Sequence, residues 1–339
     1  MISWELANHV EAGGVNWIRT KNYFYIPERL LWQTGIVRRI FFSKYKYFVF
    51  EGAIAHLPTW LFAALCRISG KKALFWTHGL KGTDRGIKKM VRQIYFKLPH
   101  ALLLYGDFSK GVMVKGGFNA KRLFVIYNSL DVNKQLTIFK NYNNEIVKAE
   151  KARIFSNPAA LTLIFIGRLV QAKGVMQTVE AVRDLVADHF PVNLILIGTG
   201  PELAHIKDLI AEHRLEKNIH LAGEIYNEET ICKYFKMADL LLSPGGVGLN
   251  CMHSMAYGVP VLTHDDFRFQ SPEVEAIVPG STGVFFQYGN YQDMLAKIRN
   301  WNNFGKTKEE IVRNCQSMME HRYNPASHAQ EIIKAIDSI

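Results

Sequence analysis

Arg168 and Lys173 stand five residues apart, between an apolar run at Leu161–Ile166 and a helical pattern that begins at about Val175. Gly167 ends the apolar run and Gly174 precedes the helix. Two cations between a strand end and a helix start are placed to hold a diphosphate, because the helix N-terminus adds partial positive charge and bare N–H groups. The alternative is an ordinary loop whose Arg and Lys are solvated. Two further turns have related chemistry. Gly198-Thr199-Gly200-Pro201 lets a ligand approach the backbone closely, with Pro201 suited to a first helical position; a tight turn accounts for it equally. Pro244-Gly245-Gly246-Val247-Gly248-Leu249 opens another helical segment. Its glycines leave N–H groups free for phosphate or sugar oxygens, unless the loop is merely flexible packing.

These turns must be positioned by strands. In the second half, strand-like runs at Leu161–Ile166, Val192–Ile197, 218–221, Leu240–Ser243, 259–263 and Gly283–Phe286 alternate with helical periods near 175–189, 201–214, 228–237, 248–257 and 290–302. Alternating β and α with short loops implies a parallel sheet wrapped by helices, whose ligands sit beyond the carboxyl ends of the strands. The first half alternates likewise, with strands near 47–50, 73–77, 101–105 and 123–127. The expected fold class is α/β: two Rossmann-like domains facing each other across a cleft. We expect the first over 1–135, a polar linker with a short helix over 136–157, the second over 158–320, and a C-terminal helix over 321–339 that crosses back to the first domain.

The charge is uneven. Residues 1–150 hold 23 Lys and Arg against 9 Asp and Glu, a net of +14, whereas residues 151–339 carry −3 of the total +11. The first half is therefore expected to face something anionic, such as a membrane surface or a lipid phosphate. An aromatic-basic recognition motif is missing, so no nucleic-acid partner is expected. No apolar run is long enough to span a bilayer; the longest, 60–66, stops at Arg67. The start lacks a basic segment followed by an apolar one, so no secretory signal is read there. Cys66, Cys232, Cys251 and Cys315 are scattered. Reduced thiols in a cytoplasmic protein are the simplest account.

Taken in order, Gly167-Arg168-Leu169 with Lys173-Gly174, Gly198-Thr199-Gly200-Pro201, the Gly-rich helix start, His253-Ser254-Met255-Ala256-Tyr257-Gly258-Val259-Pro260-Val261, Pro272-Glu273-Val274-Glu275 and Thr282-Gly283 resemble glycosyltransferase family 4. The pattern holds across about 120 residues. The first half is similar more loosely, through Phe75-Trp76-Thr77-His78-Gly79 and Val125-Ile126-Tyr127-Asn128-Ser129. The resemblance implies the GT-B fold and a retaining transferase that moves a hexose from a nucleotide-diphosphate sugar to a glycan or lipid-linked acceptor, in cell-surface polysaccharide or glycolipid synthesis. It implies that Arg168 and Lys173 clamp the donor diphosphate and neutralise the leaving group, with no metal and no further cofactor. Gly167, Gly198, Gly200, Gly245, Gly246, Val247, Gly248 and Leu249 would line the donor, and Ile225 would lie beside its base. His78 would approach the sugar from the first domain; a satisfied strand-end histidine is the alternative.

The chain departs from the family at two places. The family's two glutamates are here Gly245 and His253. His253 can still hydrogen-bond a ribose hydroxyl, while Gly245 offers only backbone. Glu273 and Glu275 are the carboxylates that would compensate, or else surface charges at a helix start. Only Ala12-Gly13-Gly14-Val15-Asn16-Trp17-Ile18 precedes Tyr47 as a Gly-rich loop, and it follows no convincing strand, so either the chain starts late or the first domain is shortened at its start.

The segment 85–98 has helical period. Ile87, Met90, Val91, Ile94 and Leu98 share one face, expected to be core; Arg85, Lys88, Lys89 and Arg92 share the opposite one. The basic face is expected to dock electrostatically on an anionic bilayer, at the inner face of the plasma membrane, without deep insertion. The bland alternative is a solvated outer face. Two rival functions remain: a nicotinamide-dependent oxidoreductase, which Leu203 disfavours by standing where its third glycine belongs, and a degenerate GT-B protein acting as a binding or partner subunit.

Overall fold

Strands covered on both faces need unbroken apolar runs rather than alternation. The second half supplies them, and they dominate its architecture. The computed structural model describes residues 21–25, 30–34, 40 and 42–339; the Gly-rich segment 12–18 lies outside them. The chain divides into two compact units, one running to Ile126 and including Ala329–Ile339, the other Tyr127–His328.

In the first unit, β1 (Asn22–Tyr25) and β2 (Leu30–Gln33) form an antiparallel pair. The strands β3 (Tyr47–Glu51), β4 (Lys72–Thr77), β5 (Ala101–Leu104) and β6 (Leu123–Val125) form a parallel sheet in chain order. The intervening helices are α1 (Leu57–Ile68), α2 (Gly86–Lys97) and α3 (Asp107–Lys115). Phe62, Phe75, Tyr95 and Phe96 fill the core on one side of the sheet.

The orientation of α2 corrects the sequence reading. Its buried residues are Tyr95 and Phe96. Ile87, Met90 and Ile94, expected in the core, are instead 76%, 54% and 51% exposed. The adjacent aromatic rings bury more apolar area than the aliphatic stripe and so decide which face turns inward. Tyr95 is also fixed by its hydroxyl, which donates to Ala53 O at 3.1 Å, and by its ring, 4.8 Å from that of Phe75. Arg92 leaves the basic face: it donates to Asp84 Oδ1 at 3.0 Å and Gly79 O at 2.8 Å.

The second unit begins with α4 (Asn133–Asn141) and α5 (Asn144–Ile154), where the sequence suggested a linker. Both pack into this unit, burying Leu136 and Val147. Then follow β7 (Leu161–Ile166), α6 (Val175–Ala187), β8 (Val192–Ile197), α7 (Leu203–Glu212), β9 (Ile219–Gly223), α8 (Glu228–Met237), β10 (Leu240–Ser243), α9 (Asn250–Ala256), β11 (Val261–His264), β12 (Gly283–Phe286), α10 (Tyr291–Arg299) and α11 (Lys308–His321). A last helix, α12 (Pro325–Asp337), follows. Glu150 on α5 accepts from Arg153 and from Lys233 on α8, and these contacts hold its carboxyl at about 2.

The parallel sheet runs β12-β11-β10-β7-β8-β9. Chain order leaves β7 in one direction through β8 and β9, then returns to the other side of β7 at β10. That reversal puts a topological switch point between β7 and β10, where open α/β sheets bind ligands.

Candidate functional site

The loops after β7, β8 and β10 meet at this switch point. Gly198 follows β8 with φ +139°, and a Cβ there would stand 1.9 Å from Gly167 O. Only glycine permits that crossing. Gly174 is left-handed, with φ +68°, and its Cβ would stand 2.8 Å from Pro244 Cβ. The loop after β7 is thereby pressed onto the loop after β10, and Gly245 N donates to Lys173 O at 3.2 Å.

A cavity of about 510 Å³ opens above these turns. Gly167, Arg168, Gly198 and Gly200 line it from the strand ends, and Glu224, Ile225 and Tyr226 from the loop after β9. A register shift between Leu196 and Ile197 offsets the end of β9 and carries that loop to the rim. Arg168 is exposed. Tyr226 is 82% exposed and its hydroxyl bonds Glu224, leaving an aromatic face beside Ile225.

Lys173 is half-buried rather than open to solvent. Its Nζ donates to Gly246 O at 2.7 Å. Burial pulls its pKa below the ordinary lysine value, and the Glu273 carboxylate opposes that shift. Glu273 is 5% exposed. Its Oε1 accepts from Asn128 Nδ2 at 2.7 Å, while Oε2 is buried without a hydrogen-bond donor among the described residues. Glu273 therefore sits as an inner counter-charge to Lys173. Glu275 is half-buried on the same short turn, Pro272–Ala276.

The Gly-rich loop is held from behind. Gln270 Oε1 accepts from Val247 N at 3.0 Å, and its Nε2 donates to Thr263 Oγ1 at 2.8 Å. The Val247 amide is thus spent inside the protein, leaving Gly246 and Gly248 as the open positions beside the exposed Leu249. Asn250 Nδ2 donates to Ile166 O and ties the start of α9 to the end of β7.

His253 lies half-buried on α9. Burial lowers its pKa, and the carboxylate of Glu228 acts against that shift. Glu228, at the start of α8, accepts from the Tyr257 hydroxyl and from Gln135 Nε2 at 3.3 Å. The charge beside His253 therefore comes from a residue that sequence reasoning did not single out. A lowered pKa keeps His253 neutral at pH 7, able to donate and accept. We expect His253→Gln to hold nucleotide affinity within threefold and His253→Ala to lose about tenfold, the worth of one or two neutral hydrogen bonds. His253→Glu should weaken binding, because it sets a second carboxylate beside Glu228. Titration with UDP separates these outcomes, and wild-type affinity in His253→Ala would make the residue structural.

In the first unit His78 is exposed, its ring stacked on Tyr105 with centroids 4.6 Å apart. Its carbonyl accepts from Ser109 Oγ at 2.7 Å, which fixes the strand-end turn. Arg85, Lys88 and Lys89 are exposed along α2. Among the described residues, no three His, Cys, Asp or Glu side chains group as a metal site, and no helix is long and apolar enough to cross a membrane. All four cysteines are buried and unpaired.

Comparison with known proteins gives three findings. A family profile described as "Glycosyl transferases group 1" matches residues 147–318. The phosphatidylinositol N-acetylglucosaminyltransferase gpi3 subunit of Schizosaccharomyces pombe is 22% identical over 72% of this chain and 56% of its own length. The alpha-monoglucosyldiacylglycerol synthase of Acholeplasma laidlawii is 25% identical over 43% of this chain and 36% of its own. The chain thus spans little more than half the length of the first relative and about a third of the second. Among solved structures, HepE of Anabaena in complex with UDP aligns with a TM-score of 0.67 at 16% identity, covering 90% of this chain and 81% of that one. That likeness shows the GT-B fold.

Proposed function

The chain belongs to the glycosyl transferases group 1 family, and from that premise we propose that it moves a hexose from a nucleotide-diphosphate sugar to a glycan or lipid-linked acceptor with retention. The observation that carries this reading is the strand-end cavity in which Arg168 joins Gly167, Gly198 and Gly200, with Lys173 held at the adjoining Gly-rich loop. In the transfer, the bond from the anomeric carbon to the diphosphate breaks and a bond from the acceptor oxygen forms. Negative charge builds on the departing diphosphate. Arg168 meets it as a planar fork and Lys173 as a fixed point charge. For retention, the acceptor enters on the face the diphosphate leaves, and a diphosphate held there takes the acceptor proton. Tyr226 and Ile225 offer a surface to the base, His253 a hydrogen bond to the ribose, and His78 positions the sugar. Because two side chains supply the positive charge, turnover should persist in excess chelator.

The acceptor side of the proposal rests on charge and on α2. The basic first half and the outward Ile87, Met90 and Ile94 suit a bilayer whose surface is anionic. The names of two relatives speak of phosphatidylinositol and of diacylglycerol. We accordingly assign the protein to glycolipid or cell-surface polysaccharide synthesis, held peripherally at the inner face of the plasma membrane. The second reading, a partner subunit without turnover, is favoured by Gly245 and His253 standing where carboxylates are usual, and by the fission-yeast relative being named a subunit.

Thermal unfolding with UDP-, GDP- and ADP-sugars tests the donor reading, beginning with UDP-glucose, with which HepE has been solved. A donor at 100 times its dissociation constant should stabilise by about 2.7 kcal/mol. If no nucleotide sugar raises the unfolding midpoint, the proposal fails; stabilisation without sugar release or transfer selects the partner-subunit reading.

A further inference from the structure

The amino ends of β7, β10 and β11, opposite the strand ends just described, border a second cavity of about 790 Å³. It lies wholly within the second unit, between α4, α5, the end of α8 and the start of α11. That volume falls within the range of sites for drug-sized ligands. Phe139, Pro158 and Val312 give it an accessible apolar wall, with the buried Phe235 and Met237 behind it. The charges around it are mostly of one sign. Five cations line it (Lys148, Lys151, Lys236, Lys308 and Arg313) against Glu145 and Glu309.

The cations are incompletely compensated. Lys148 is paired with Glu145 at 2.9 Å. Lys236 is directed at Asn144 Oδ1, 3.0 Å away, and lies over the Phe139 ring. Lys151 and Lys308 share one carboxylate, Asp239, at 3.9 and 3.1 Å. The oxygen of Asp239 nearer Lys151 also accepts from Thr162 N at 2.9 Å. One carboxylate between two ammonium groups leaves a positive charge unanswered. Lys151 is only 17% exposed, so water cannot fully answer it either. Burial pulls its pKa down, Asp239 opposes this, and Lys308 pushes it further down.

We propose that this cavity binds a single-chain amphiphile with a phosphate head, its chain against Phe139, Pro158 and Val312 and its head on Lys151 and Lys308. A phosphate monoester, with between one and two negative charges near pH 7, answers the paired ammonium groups more fully than a single carboxylate. The apolar wall accounts for why the ligand carries a chain. The site stands at the opposite end of the strands from the proposed donor cavity and does not depend on that reading.

Calorimetric titration with dodecyl phosphate below its micelle concentration tests this. Inorganic phosphate and the uncharged dodecyl maltoside serve as the head-only and chain-only probes. Saturable binding of dodecyl phosphate is expected, at least tenfold tighter than either probe. Lys151→Gln and Lys308→Gln should each weaken it about tenfold or more. Lys308 is exposed at the first turn of α11, so Lys308→Gln should keep the native fold even where Lys151→Gln does not. The unfolding midpoint without ligand checks that. Equal binding of dodecyl maltoside, no saturable binding, or undiminished dodecyl phosphate binding by folded Lys308→Gln overturns the proposal.

Discussion

Alanine at Arg168 or at Lys173 is expected to weaken binding of a nucleoside diphosphate by roughly tenfold to a hundredfold. Charge-assisted contacts of this kind are worth about 1.5–3 kcal/mol each, and each 1.4 kcal/mol is about tenfold in affinity. The two variants should differ in stability. Arg168 is exposed, so its removal should change folding within about 0.5 kcal/mol. Lys173 is half-buried, bonded to Gly246 O and opposed to the Glu273 carboxylate. Its removal takes the donor from Gly246 O and the opposing positive charge from the buried Glu273 carboxylate. Lys173→Ala should therefore cost about 1–3 kcal/mol of stability. Adding Glu273→Gln should restore much of that stability while leaving affinity low, the signature of coupled neighbours in a double-mutant cycle. Titration with UDP and denaturant unfolding give both readouts. Wild-type affinity in both single variants would remove Arg168 and Lys173 from the donor site.

The Gly-rich turns at the strand ends were readable in the sequence because their constraints are local. Gly198 and Gly174 are needed where another backbone or side chain presses within contact distance, and a strand end followed by a cation and a helix start is a pattern of adjacent residues. The partners behind those loops were not readable. Glu228 reaches the α9 helix from 25 positions before His253, and Gln270 reaches back to Val247 from the far side of β11. Neither pairing leaves a periodic or compositional trace. The polar stretch over 136–157 has a buried side that its composition does not mark. Its Asn and Lys content marks the solvent side of α4 and α5, while single residues such as Leu136 and Val147 secure the buried side. Along α2 the period is helical, but of the aliphatic face only Val91 and Leu98 are partly covered, while Ile87, Met90 and Ile94 are exposed. Aliphatic spacing identified a stripe, but the buried side was decided by two neighbouring aromatic rings and by Arg92 bonded to Asp84.

That reversal changes what α2 should do at a bilayer. With Ile87, Met90 and Ile94 turned outward beside Arg85, Lys88 and Lys89, docking should combine apolar insertion with charge attraction. A fully buried Ile or Met side chain contributes about 1.5–3 kcal/mol; a basic residue near an anionic surface contributes about 1 kcal/mol. Ile87→Ser with Ile94→Ser should therefore lower binding to anionic vesicles more than Lys88→Gln with Lys89→Gln. The two pairs should also differ in salt dependence. The Debye length is about 8 Å at physiological ionic strength, so the charge contribution should fade between low and moderate salt while the apolar one persists. Arg92 stays unchanged in these variants, since it holds Asp84 and the Gly79 carbonyl and its loss would disturb the fold itself. Because the three apolar side chains are exposed, the serine pair should unfold like the parent protein. Vesicle co-sedimentation across a salt series decides between the contributions. If the serine pair binds as well as the parent at every salt concentration, the apolar face of α2 takes no part in membrane contact.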